Sequence, residues 1–184
     1  LSISLIFQLL VSGNHSFASS IEECIRLTKY SANFAYNVEF NDIDPDMAQP
    51  ICLQALKLDK ANKDVLIGLG RIKAKQRKFM EAKEFFNQAF KLGSGDAAAY
   101  IAVLYFWKDL PADDRWATTF SWNKKAEELG SAKAFFNLGL HYEYGYYVKA
   151  NFKKALEYYK KAADNNSSKG NLALAETYHY GHLD

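Results

Sequence analysis

Helix breakers are scarce in this chain. Its 184 residues include only 3 Pro and 10 Gly, and no long Gly/Ser tract, which leaves little room for a flexible linker. An excess of one charge is missing too: 23 Lys and Arg stand against 21 Asp and Glu, a net charge of +2. That balance gives neither nucleic acid nor an anionic membrane an overall electrostatic reason to bind. There is no glycine-rich phosphate loop and no His-Glu-x-x-His pattern for a metal. The one long apolar run, Leu1 to Val11, is shorter than the roughly 20 residues a membrane-spanning helix needs. Cysteine is limited to Cys24 and Cys52.

What the chain does have is 49% hydrophobic and 24% charged residues, a globular balance. Its 12 Tyr, 13 Phe and 3 Trp fall largely at helical spacing, the pattern of helices packed on helices. Above all it has a period. Leu138-Gly139-x-x-Tyr142-x-x-Gly145 returns 36 residues later as Leu174-Ala175-x-x-Tyr178-x-x-Gly181. A weaker copy, Ile101-Ala102-x-x-Tyr105, lies 37 residues earlier, and Leu69-Gly70 another 32 before that. Repeats of this length mark stacked helix pairs, each burying its apolar face only against its neighbours. The expected fold is all-α: an α-solenoid of antiparallel helix pairs.

The start of the chain departs from that pattern. After the apolar run, Ser16-Phe17-Ala18 places small residues where a secretory signal would be cut. Residues 1–18 therefore read as the remnant of an export signal; an amphipathic helix packed on the repeats is the competing reading. An even cysteine count in an exported chain suggests one disulfide, Cys24–Cys52. Two buried thiols in a cytosolic protein are the alternative. Ser20-Ile21-Glu22-Glu23 has the capping-box pattern, predicting a helix to about residue 29, then a loop over 31–44. Asp44-Pro45-Asp46 begins a helix running to about Leu58.

From Lys63 the positions Leu66, Leu69, Gly70, Phe79, Ala82, Phe86 and Ala89 fit two antiparallel helices joined near Gln76-Arg77-Lys78. Small residues stand where backbones approach and large ones fill the gaps. Residues 63–96 resemble a tetratricopeptide repeat, with Lys73 at its usual aromatic and Ser94 at its usual proline. The later copies run Ala134, Leu138-Gly139, Tyr142, Gly145, Val148, Asn151, Ala155, Tyr158-Tyr159, Ala162-Ala163. They are similar, position for position, to the Sel-1-like repeat family. Tyr158 stands at that family's usual Trp, which the preceding copy keeps as Trp122. That copy replaces the Gly-rich turn with Lys108 to Ala117. The segment holding Cys24, Ile43-Asp44, Ala48 and Cys52 also looks like exported bacterial members of the group.

The expected layout is a cap of helices over 19–62 and repeats over 63–96, 97–130 and 131–166, with a first helix over 167–184. Lacking an initiating Met and ending one helix into a repeat, the chain is expected to be a piece of a longer protein.

Signs of catalysis are few. Ser121-Trp122-Asn123-Lys124 has the Ser-x-x-Lys spacing of serine β-lactamases, but the companion Ser-Asp-Asn and Lys-Thr-Gly elements are missing. His179 and His182 with Glu176 lack a known metal pattern, and His141 reads as a helix-surface residue. The basic run Lys73, Lys75, Arg77, Lys78 reads as a solvated turn. No catalytic residue, metal or cofactor is assigned.

The resemblance implies a scaffold that binds a protein or peptide along the inner face of its first helices. Register places Arg71, Lys75, Val103, Trp107, Phe136, Leu140, Tyr144, Glu176 and Tyr180 there. The expected setting is the bacterial periplasm or outside the cell. In an endoplasmic-reticulum lumen, Asn165-Asn166-Ser167 would be a glycosylation acceptor. Because some cysteine-rich relatives bind β-lactams, an exported binder or enzyme of cell-wall-like molecules is the second reading.

Overall fold

The computed structural model describes residues 20–29 and 40–179, residues 178 and 179 by their backbone only. Residues 1–18, expected to be an export-signal remnant, lie outside the described residues, as do Tyr180 and His182. Among those described there is no β-strand. Helix α1 covers 20–28, and a short 3-10 turn spans Phe40–Asp42. Then follow α2 (Pro45–Leu58), α3 (Lys63–Lys75), α4 (Phe79–Lys91), α5 (Gly95–Phe106), α6 (Arg115–Glu128), α7 (Ala132–Tyr144), α8 (Phe152–Asp164) and α9 (Ser168–His179). The chain forms two compact units, one ending at Phe85 and the other beginning at Phe86.

The helix starts show why the sequence folds this way. Asp44 caps α2 by accepting from the amides of Asp46 and Met47, and Pro45 fits the first turn, where no amide partner is needed. Asn62, Ser94 and Ser131 cap α3, α5 and α7, and Ser167 accepts from the Gly170 amide at the start of α9. A capping side chain thus recurs once per repeat, each satisfying an amide the helix leaves without a partner. Asp114 and Asn151 do the same for α6 and α8. Ser20, expected to cap α1, is itself helical. Pro50 lies inside α2, which continues through it.

In the first unit, Cys24, Ile43, Ala48, Cys52, Ala55, Val65, Leu69 and Ile72 form one buried cluster. Cys24 and Cys52 are joined as a disulfide that ties α1 to α2, as their even count suggested. The buried Arg71 side chain reaches from α3 to donate to the Thr28 carbonyl of α1. Lys29 pairs with Asp64 at 3.0 Å on the rim of the same contact. Arg77, in the turn between α3 and α4, adopts a left-handed φ of 60°.

In the second unit α5 packs on α6, α6 on α7, α7 on α8, and α8 on α9. Short connections make successive helices antiparallel. Ala98, Ala99, Ala126 and Ala134 allow the close approach, with Phe90 and Trp122 packed against them. Trp122 therefore occupies the packing slot read for it, and Tyr158 fills the matching slot of the next repeat, stacked 5.5 Å from Tyr142. The Ser131 hydroxyl donates to Asp96 at 2.6 Å, and Lys133 pairs with the same carboxylate at 2.5 Å. Gly145 ends α7 at φ 72°, a left-handed backbone that glycine adopts without steric cost.

One surface expectation is overturned. His141 is 1% exposed, because it continues the inward stripe of Ala134 and Leu138 at helical spacing.

Candidate interaction surface

Among the described residues an aromatic cluster forms where α5 and α7 end. Phe106 meets Trp107, Trp116 and Tyr146 edge-on, at 5.1, 5.5 and 6.0 Å between ring centres. Trp116 stacks on Tyr146 at 4.1 Å with planes 2° apart. Tyr146 stacks in turn on Tyr144 at 5.6 Å. Trp116 and Tyr144 make no ring contact with each other, so Tyr146 lies between them. The Arg115 guanidinium sits 4.0 Å from the centre of Trp116. At that distance it cannot share a face with Tyr146, so it covers the opposite one. Arg115 also donates to the Phe106 carbonyl at 3.4 Å.

The backbone sets this ladder up. The left-handed turn at Gly145 carries Tyr146 back over α7, where its amide donates to the His141 carbonyl at 3.0 Å. His141 Nδ1 lies 2.7 Å from the Tyr146 carbonyl. A carbonyl can only accept, so Nδ1 carries the proton. Nε2 is buried with no hydrogen-bond partner, and the Phe120 ring stands edge-on 5.2 Å away. Burial holds the imidazole below its ordinary 6.5, which outweighs the opposing bond to Tyr146. His141 is thus a neutral positioning residue of the ladder.

Beyond Tyr144 the surface turns acidic. The buried Tyr159 hydroxyl donates to Glu143, and the charge of Glu143 is the largest influence raising the Tyr144 phenol. Glu176 acts on both phenols in the same direction. Neither Glu143 nor Glu176 has an ion-pair partner among the described residues. Phe136 leans on Tyr159 at 5.7 Å, and Lys169 lies over Phe136 at 5.9 Å.

The residues assigned to the inner face fare differently. Trp107 and Tyr144 are 70% and 58% exposed and are linked through Phe106 and Tyr146. Glu176 is exposed on α9, while Val103, Phe136 and Leu140 are half-buried. Lys75, in the other unit, donates to the Asn41 carbonyl at 3.0 Å and lies over Phe40. Arg71 is 3% exposed and spent on Thr28, so it offers no accessible contact. Sequence reasoning missed Phe106, Arg115, Trp116 and Tyr146.

The other motifs are occupied by structure. Lys124 is engaged by Glu127, and no hydrogen bond joins it to Ser121. Lys73 pairs with Glu81 at 2.9 Å. Among the described residues no group of His, Cys, Asp or Glu is placed to hold a metal ion, and no helix is long and apolar enough to cross a membrane.

Residues 132–167 match the family model of the Sel1 repeat. A Sel1 repeat protein from Oxalobacter formigenes is similar at a TM-score of 0.63 and 20% identity, covering 90% of this chain and 64% of that one. A protective antigen of uropathogenic Escherichia coli strains, displaying an SLR fold, is similar at 0.58 and 24% identity, covering 76% of this chain and 30% of that one. The chain thus spans less than two thirds of either protein. No curated protein matches it.

Proposed function

Because the chain carries a Sel1 repeat within an all-α solenoid fold, we propose that it is a non-catalytic scaffold. Sel1-repeat proteins are typically protein-interaction scaffolds. In this reading an extended peptide or partner protein lies along α5, α7 and α9 of the second unit. The observation that carries it is the exposed pair Trp107 and Tyr144, backed by a packed aromatic ladder. Rigid aromatics in that setting have the character of contact hot spots.

The disulfide supports an oxidising setting such as the periplasm or the cell exterior, since such bonds are rare in reducing cytosol. Affinity capture with the wild type and with a Trp107→Ala/Tyr144→Ala double variant tests the reading. The expected result is partner loss from the variant with unchanged helicity. Equal capture by both proteins removes this face as the site.

A further inference from the structure

We infer that the ladder ending at Tyr144 receives an arginine side chain from an extended basic segment of the partner. This rests on the scaffold reading and adds the chemistry of what is bound.

The ladder already shows what its rings accept. At one end, Arg115 lies over Trp116, Trp116 on Tyr146, and Tyr146 on Tyr144. A guanidinium over an aromatic face is attracted by the ring quadrupole. The far end has the opposite surroundings. Tyr144 is mostly exposed, and no cation among the described residues lies over its ring. Glu143 precedes it on α7 and accepts from Tyr159; the charge of Glu143, a hydrogen bond to it, and the charges of Tyr146 and Glu176 all raise the Tyr144 phenol. Neighbouring cations are committed elsewhere: Lys133 to Asp96, and Lys169 over Phe136.

An exposed aromatic face flanked by two carboxylates without ion-pair partners complements a planar cation. Arginine fits better than lysine, because its guanidinium stacks flat on a ring while its donors reach carboxylates at the edge. An acidic or phosphorylated segment would meet like charge. The exposed Trp107 extends the same surface and suits an apolar or aromatic neighbour of that arginine.

Selection of phage-displayed random dodecapeptides against the full chain tests this, with counter-selection on Trp107→Ala/Tyr144→Ala. Each selected peptide is then measured on Glu143→Gln/Glu176→Gln, which keeps an acceptor for the Tyr159 hydroxyl. The expected result is enrichment of arginine, at least tenfold weaker binding to the double glutamine variant, and similar loss when that arginine is replaced by alanine. Peptides that need Trp107 and Tyr144 but lack arginine, or ignore the glutamine changes, overturn this inference and leave the scaffold reading standing. Peptides indifferent to Trp107 and Tyr144 overturn both. Circular dichroism of each variant excludes unfolding as the cause.

Discussion

The ring of Tyr159 on α8 occupies the space that a side chain at Gly139 on α7 would need. A Cβ built there would lie 2.5 Å from ring atom Cδ1 and 3.0 Å from Cζ. The ring has little freedom to retreat, because it is buried and its hydroxyl is held by Glu143. Gly139→Ala therefore sets two effects against each other. Removing a mid-helix glycine stabilises by up to about 1 kcal/mol, while forcing extra volume into packed surroundings costs typically about 1–3 kcal/mol. The steric cost should win. Urea denaturation should show a net loss of about 1–2 kcal/mol, and Tyr159→Leu in the same chain should return part of it.

Arg71 separates stability from binding. Its guanidinium is buried and donates to the Thr28 carbonyl, so Arg71→Ala leaves that acceptor without its bond and removes packed methylenes. The expected cost is about 2–3 kcal/mol of stability in the first unit. Capture of a partner through Trp107 and Tyr144 should be unchanged. A variant of normal stability that loses partner binding would return Arg71 to the interaction surface.

Much of this fold was legible because its signal is periodic. Leu69-Gly70, Ile101-Ala102 and Leu138-Gly139 are all buried, as their shared register requires, and the Asp44, Gly145 and Asn151 helix boundaries were readable from local chemistry. Leu174 is half-buried and Ala175 exposed, although register gives them the same role. Arg71 was misplaced because register alone cannot show that α1, a helix outside the repeats, covers that part of α3. The ladder was illegible for a related reason. Trp116 lies beyond a connection that follows no repeat pattern, and Tyr146 reaches it only through the left-handed turn at Gly145. His141 was readable, since positions 134, 138 and 141 form one helical stripe.

The Cys24–Cys52 bond closes a loop of 28 residues. In the chain-entropy model that stabilises by about 3.5 kcal/mol, mainly by restricting the unfolded chain. Denaturation with and without a thiol reductant should differ by roughly that amount, and Cys24→Ala/Cys52→Ala should show no further sensitivity to the reductant. Equal stability in both conditions would mean that contacts such as Arg71 to Thr28 hold α1 without the bond. Non-reducing mass mapping checks that the pair is oxidised in protein recovered from its native compartment.

His141 gives the second unit a dependence on acidity whose sign follows from its burial. The folded chain holds the imidazole below its ordinary 6.5, while the unfolded chain titrates near that value. Above it both states are neutral at this position, and the contribution to stability is complete. As pH falls through about 6.5, the unfolded chain takes up a proton that the folded chain resists, so acid favours unfolding. Once pH drops below the folded value as well, both states are charged and the loss levels off. Protonation would place an N–H on Nε2, which has no partner, beside the Phe120 ring. Protonation leaves the Nδ1–H bond to the Tyr146 carbonyl in place, so a shift of the ring that gives Nε2–H a partner pulls Tyr146, and with it the Trp116 stack, out of position. Stability measured between pH 8 and pH 5 should therefore decline below about 6.5, together with near-ultraviolet dichroism from the aromatic cluster. His141→Gln should be less stable at neutral pH yet flatter across that range. A wild-type slope equal to that of His141→Gln would place the acid sensitivity in other groups and leave His141 a packing residue alone.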